Sequence, residues 1–290
     1  MSDTTMNDTP RTQAAEKVRR LRRSFSPGLG GLLALGFVGI CAVTSVLVPS
    51  LPLADPNAQD IGRALVPPSA ENRLGTDQLG RDLLSRLLWG TRTSMLAAFT
   101  AVAVAAAIGV PLGLVAGYFR GWVDAVTGRV ADMFLTVPAL ILLLMVQTAL
   151  QTGIQGQMVT LGVILAPRVH RIVRAETVGL AHQPFMVAGR MSGCSHLRIV
   201  WRYLLPGVRA QAMVQVSYLL GLSLVIEAGI SFLGIGVRPP DASLGTLLTG
   251  AAAMLSSEPR VVLIPAAVLT ALILSLNLLG DAATKESEYE

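Results

Sequence analysis

Residues 168–209 read RVHRIVRAETVGLAHQPFMVAGRMSGCSHLRIVWRYLLPGVR, and this stretch decides what kind of protein the chain is. It carries seven arginines (Arg168, Arg171, Arg174, Arg190, Arg198, Arg202 and Arg209), three histidines (His170, His182 and His196), no lysine and one acid, Glu176. Strongly apolar segments stand on both sides. A basic, amphipathic island in an oily chain marks a loop held at the cytoplasmic face of a membrane. Within it Phe185–Gly193 reads FMVAGRMSG and Tyr203–Pro206 reads YLLP. Small residues occur where a helix must be approached closely, and a glycine where it must stop. The pattern predicts a docking element.

Composition points the same way. A chain of 290 residues has room for two soluble domains, but 52% of its residues are hydrophobic and only 14% charged. Globular chains carry about 25% charged residues. With a mean hydropathy of +0.59, this is an integral membrane protein. The net charge of +5 and pI near 9.8 do not mark a nucleic-acid binder, because the arginines cluster beside apolar spans with few aromatic residues among them. Cys41 lies in an apolar span and Cys194 in the basic stretch, which argues against a disulfide between them. Neither has partners spaced for a metal.

Outward from the basic stretch, the chain reads as an all-α membrane protein with six spans. Residues 1–27 form a polar tail with six basic residues, suited to anionic lipid. Residues 28–48 are 21 residues without a charge, enough to cross the ~30 Å hydrocarbon core at ~1.5 Å per residue. They exceed the ~7–15 residues of a signal peptide's apolar region, so they are read as a retained first span. Residues 49–93 are too polar and proline-rich to cross and form an external loop. In its second half Asp77, Arg81, Asp82, Ser85 and Arg86 recur at spacings of three and four, predicting a helix with i,i+4 ion pairs against the membrane surface. Two roles stand open for it, a solvated helix face or a gate.

The second span, residues 94–118, holds Ala97, Ala101, Ala105, Gly109, Gly113 and Gly117 at intervals of four. In lipid, hydrophobicity does not hold helices together, so a stripe of small residues predicts close packing against another helix. Pro111 is tolerated as a kink. The third span covers residues 130–150, with Asp132 interfacial and Pro138 able to bend it. The fourth, residues 153–166, is only 14 residues long, and is required so that the arginines face inward. A fifth span, residues 208–233, contains Glu227, a functional acid or one side of an inter-helix hydrogen bond. Residues 234–260 form an outer loop with room for a short re-entrant helix at 244–255. The last span covers 261–279, and 281–290 is a polar tail. On this topology both termini are cytoplasmic. The inside segments hold 6, 2, 7 and 1 of the 23 Lys and Arg residues and the outside ones 5, 0 and 2, the asymmetry expected of that orientation.

No G-x-x-x-x-G-K-[ST] phosphate loop occurs, so the chain itself should not hydrolyse ATP. No catalytic constellation and no His/Cys metal cluster is present, and the histidines read as surface residues.

Ala188, Gly189, Gly193, Leu205 and Pro206 resemble the E-A-A, three residues, G, nine residues, I-x-L-P pattern of the permease subunits of binding-protein-dependent ABC importers. The match is not complete: Val187 stands in place of the glutamate, Gly189, also a small residue, in place of the second alanine, and Tyr203 in place of the isoleucine. Residues 74–90 (LGTDQLGRDLLSRLLWG) and 227–247 (EAGISFLGIGVRPPDASLGTL) are similar to signatures of the dipeptide, oligopeptide and nickel permeases, in their C-type subunit. Residues 117–138 and 277–281 (NLLGD) are similar too. The resemblance implies a type I permease core of five helices over residues 94–280, with residues 168–209 as its coupling loop. It implies a second, B-type permease subunit, two ATPase subunits that bind ATP and Mg, and an external substrate-binding protein. The chain itself would bind no cofactor and perform no catalysis. Phe185 and Met186 would be apolar anchors in an ATPase groove and Arg190 a polar clamp. The cargo is a dipeptide or oligopeptide, with nickel or haem as alternatives. Two other classes are a proton-coupled transporter using Glu227 and Asp132, which lacks the expected internal repeat, and a membrane scaffold.

Overall fold

The computed structural model describes residues 29–249 and 251–287. The basic tail, residues 1–27, lies outside the described residues, as do positions 288–290 of the polar C-terminal tail. Among the described residues there is no strand, only an isolated bridge between Thr76 and Asp82.

Helix α1, Leu29–Leu47, is uncharged and apolar on all sides. Leu32, Leu33, Ile40 and Val46 are exposed, whereas Ala34, Cys41 and Ser45 are buried. An external face that oily is suited to lipid, and the small buried residues mark the side packed on protein.

Helix α2, Leu83–Phe119, has 37 residues, roughly 55 Å at ~1.5 Å per residue. It joins what the sequence divides into a surface helix and a second span. The division fails because the polar residues before Leu83 are not helical. Asp82 is the N-cap, in an extended conformation, and its carboxylate accepts from the Ser85 amide. Asp77 and Arg81 lie in the preceding turn. The expected surface helix over these three residues is therefore corrected: the Asp77–Arg81 pair exists, but it is buried in a loop. The helix runs on through Pro111.

The third span is broken. Helix α3, Gly121–Thr136, and helix α4, Ala139–Leu150, meet at 87°. Pro138 has no amide to donate and forces the residue before it out of the helical region; Val137 is extended at φ −94°, ψ 129°. The anticipated bend is a full break.

Helix α5, Ile154–Ala181, is 28 residues long, twice the expected fourth span, and it absorbs Arg168, Arg171 and Arg174. What reads as the start of a loop is the last turns of a helix. Helix α6, Pro184–Met191, follows after a two-residue turn. Helix α7, His196–Phe232, is the fifth span with an extra N-terminal segment, including a π-helical stretch at Val200–Leu204. Pro206 lacks the amide that would bond to the carbonyl four residues back, and the wider turn lets Leu205 bond to Val200 instead. Helix α8, Leu244–Leu248, is a single short turn with a Ser243/Thr246 capping box. Helix α9, Arg260–Ser287, extends the last span into the polar tail.

Among the described residues four helices are long and apolar enough to cross a membrane, or five if α3 and α4 form one broken span. The expected fourth span, α5, fails that test because its C-terminal half is charged. Its apolar stretch packs inside the protein. Met158, Leu161, Leu165, Val169 and Val173 of α5 share one buried cluster with Ala97, Ala101 and Ala105 of α2. A second cluster joins α1, α2, α7, α8 and α9 through Cys41, Leu83, Leu87, Leu224, Leu244 and Leu272.

Candidate coupling site at one end of the helix bundle

The stripe on α2 packs on α5, which forms the broadest helix contact in the molecule. Ala97, Ala101, Ala105, Gly109, Gly113 and Gly117 are all buried. A β-carbon on Gly109 would stand 2.5 Å from Val169 Cβ, one on Gly113 2.8 Å from Val173 Cβ, and one on Gly117 2.7 Å from Thr177 Cβ. The approach is mutual, since a β-carbon on Gly162 of α5 would lie 2.5 Å from the Ala101 carbonyl. Helix α5 is thereby a rigid stem whose free end carries α6.

Two ion pairs bind α3 across this stem. Arg171 pairs with Asp132, and Arg174 grips Asp124 with its fork of donors. Asp132, expected near the start of a span, is thus a partner for an arginine of the basic stretch.

Helix α6 begins with Pro184 at a position that needs no donor. It ends in a Schellman motif, with the Gly193 amide bonding to the Arg190 carbonyl at 3.1 Å and the Cys194 amide to the Gly189 carbonyl at 3.2 Å. Gly193 has φ +75°, the left-handed conformation the motif demands. Phe185 is 51% exposed and Met191 85%, while Met186 is 2% exposed and packs in the core cluster. Met186 is therefore corrected from an outward anchor to the inward root of α6. Arg190 is also partly redirected, since its guanidinium donates to the Ala181 carbonyl at the end of α5. The helix is held to its stem from both sides, leaving Phe185, Val187 and Ala188 outward. Leu205 is half-buried and Pro206 exposed at the start of the regular part of α7. Gly207 lets α7 close on Leu180, whose Cδ1 would lie 2.6 Å from an added β-carbon. Tyr118 of α2 is hydrogen-bonded to His196 Nδ1 at 2.8 Å.

Residues 109–285, covering the glycine half of the α2 stripe (Gly109, Gly113 and Gly117), the stem, α6 and the last two spans, match the model of the family described as binding-protein-dependent transport system inner membrane component. The chain belongs to that family. Among curated relatives, this permease is 32% identical to the dipeptide transport system permease protein DppC of Haemophilus influenzae, over 97% of this chain and 96% of the relative. It is 33% identical to the glutathione transport system permease protein GsiD of Pectobacterium atrosepticum, over 93% of this chain and 89% of the relative. A chain of the MetNI methionine ABC transporter, solved in inward facing conformations, shares the fold with a TM-score of 0.55 and 21% identity, covering 69% of this chain and 94% of that one.

At the opposite end of the permease's long helices, the remaining sequence-derived candidates are gathered by the loops there. Asp77 accepts from the Leu79 and Arg81 amides at 2.8 and 3.0 Å and from Arg81 Nε at 2.7 Å. Arg86, also buried, lies 3.5 Å from the same carboxylate and donates to the Pro56 and Pro240 carbonyls. Glu227 is 0% exposed. One of its oxygens accepts from Ser231 Oγ at 2.8 Å, and Ser231 in turn accepts from the Val237 amide at 3.1 Å. Alongside, Ser94 Oγ accepts from the Leu244 amide, which fastens α8 to α2. The sequence reading missed Arg260, which donates to the carbonyls of Leu65, Val66 and Leu74 and pairs with Glu258. Nothing local in the sequence signals its role as a staple, because the carbonyls it binds are 186–195 positions away. Among the described residues no group of His, Cys, Asp or Glu is placed to hold a metal ion.

Proposed function

We propose that this permease is one of two membrane subunits of an ATP-driven importer of di- or oligopeptides, with α6 as the element that receives force from an ATPase subunit. The observation that carries the reading is the construction of α6. It is a short exposed helix with a glycine stop, rooted in the core by Met186 and mounted on a stem packed at glycine distance against α2. A push on α6 therefore reaches the long helices without being lost in a slack loop.

In this reading ATP and Mg belong to two ATPase subunits, and Phe185 fills a groove on one of them. A second, B-type permease subunit completes the path, and an external binding protein delivers the cargo. Peptide as the cargo class is supported by the relatives, a dipeptide and a glutathione transport system permease. Both termini, and α6 with them, face the cytoplasm, in keeping with the distribution of arginine. Cargo moves as the two subunits rock between inward- and outward-facing arrangements.

The test combines topology and transport. Phe185→Cys and Met191→Cys should react with an impermeant thiol reagent in inverted vesicles and not in intact cells. In proteoliposomes holding all subunits, peptide uptake should require ATP and persist when the proton gradient is collapsed. Reaction only from outside, or uptake that follows the proton gradient, would refute the reading.

A further inference from the structure

Between the α6-proximal ends of α2 and α7 runs an apolar groove of about 420 Å³, within the ~300–1,000 Å³ range of small-molecule sites. Pro111, Val115 and Phe119 of α2 and Leu197, Trp201 and Leu205 of α7 form its walls. Leu197 and Trp201 are 69% and 65% exposed. One position beyond each of them come Arg198 and Arg202, both exposed, with no ion pair or side-chain hydrogen bond among the described residues. No Asp or Glu occurs between Glu176 and Glu227. Among the described residues none of the four arginines of this stretch, Arg190, Arg198, Arg202 and Arg209, is in an ion pair, whereas Arg171 and Arg174 just before it are each paired with an aspartate.

We propose that this groove holds an acyl chain of an anionic phospholipid whose phosphate is bound by Arg198 and Arg202. Charge complementarity selects the headgroup, since two unpaired guanidiniums match a phosphate. The walls select the chain. They belong to helices of membrane-spanning length, not to the short end helix α6, and the exposed Trp201 matches the aromatic belt at a membrane–water interface. The proposal needs this end of the bundle to lie at a membrane interface, which rests on the orientation given above. It does not depend on the identity of the cargo.

The experiment uses the assembled importer in nanodiscs containing phosphatidylglycerol or phosphatidylcholine with a photoreactive acyl chain at equal mole fraction. Adducts are mapped by mass spectrometry. Phosphatidylglycerol should label the peptides spanning 110–119 and 196–205 on the order of tenfold more than phosphatidylcholine. The preference should vanish in the double variant Arg198→Gln/Arg202→Gln and survive in Arg198→Lys/Arg202→Lys. Equal labelling by the two lipids in the native protein would overturn the proposal. So would absence of lipid adducts there together with crosslinking from position 201 to an ATPase or second permease subunit, which would make the groove a subunit interface. Loss of ATP-driven uptake with lipid preference intact would count against the transport reading alone.

Discussion

Gly193 has open space around its α-carbon, so a larger residue is excluded there by backbone conformation and not by crowding. A left-handed non-glycine residue costs about 1–2 kcal/mol, enough to unwind the last turn of a helix of eight residues. Gly193→Val should leave the protein in the membrane and abolish ATP-driven uptake, while Gly193→Asn should retain part of it, because asparagine tolerates this region. Normal uptake by the valine variant would show that the stop is not needed for coupling. Glu227 poses the opposite problem, a polar group with no room for error. Glu227→Gln keeps an acceptor for Ser231 and should remain near native in thermal unfolding. Glu227→Leu leaves a buried hydroxyl to be satisfied elsewhere and should lose about 1–3 kcal/mol. Equal melting of the two variants would mean that the carboxyl does not organise its neighbours.

The α2–α5 contact is where single glycines matter to whole helices. Gly113→Val would set its first added atom 2.8 Å from Val173 Cβ and 2.9 Å from the His170 carbonyl, forcing the stem outward. Overpacking of this kind costs typically 1–3 kcal/mol, so the melting temperature in detergent should fall. Gly128→Ala, with nothing within 4 Å of the added atom and a better helix former inside α3, should not lower it. Comparable losses from both would show that the stripe is not a close-packed seam. The interval of four along α2 was legible in the sequence because a helix repeats its face at that spacing. The partner was not. Helix α5 reads as a marginal span, since hydropathy weighs transfer into lipid whereas these residues are transferred into protein. Sequence likewise exposed the break at Pro138, through the missing amide, but not its 87° size, which depends on what α3 and α4 pack against.

Across the whole molecule the loop before α2 is held by arginines donating to backbone carbonyls. Arg260 ties residues 65–74 to the start of α9, and Arg86 ties residue 56 to residue 240. Arg260→Leu should expose the loop to protease between residues 63 and 74 while the helical signal in circular dichroism stays the same. An unchanged cleavage rate would assign the loop's order to other contacts. The sequence by itself determined that the chain is helical, lives in a membrane, gathers seven arginines in residues 168–209 and offers a short glycine-stopped helix there. Those properties are set by composition and by residues within a few positions of one another. Tertiary structure alone decided that Met186 faces inward, that Asp77, Arg81 and Asp82 form a buried loop instead of a surface helix, and that Arg260 is a staple. Each depends on atoms brought together from distant parts of the chain, and a buried charge or an inward side chain is stable only where the fold has supplied its partners.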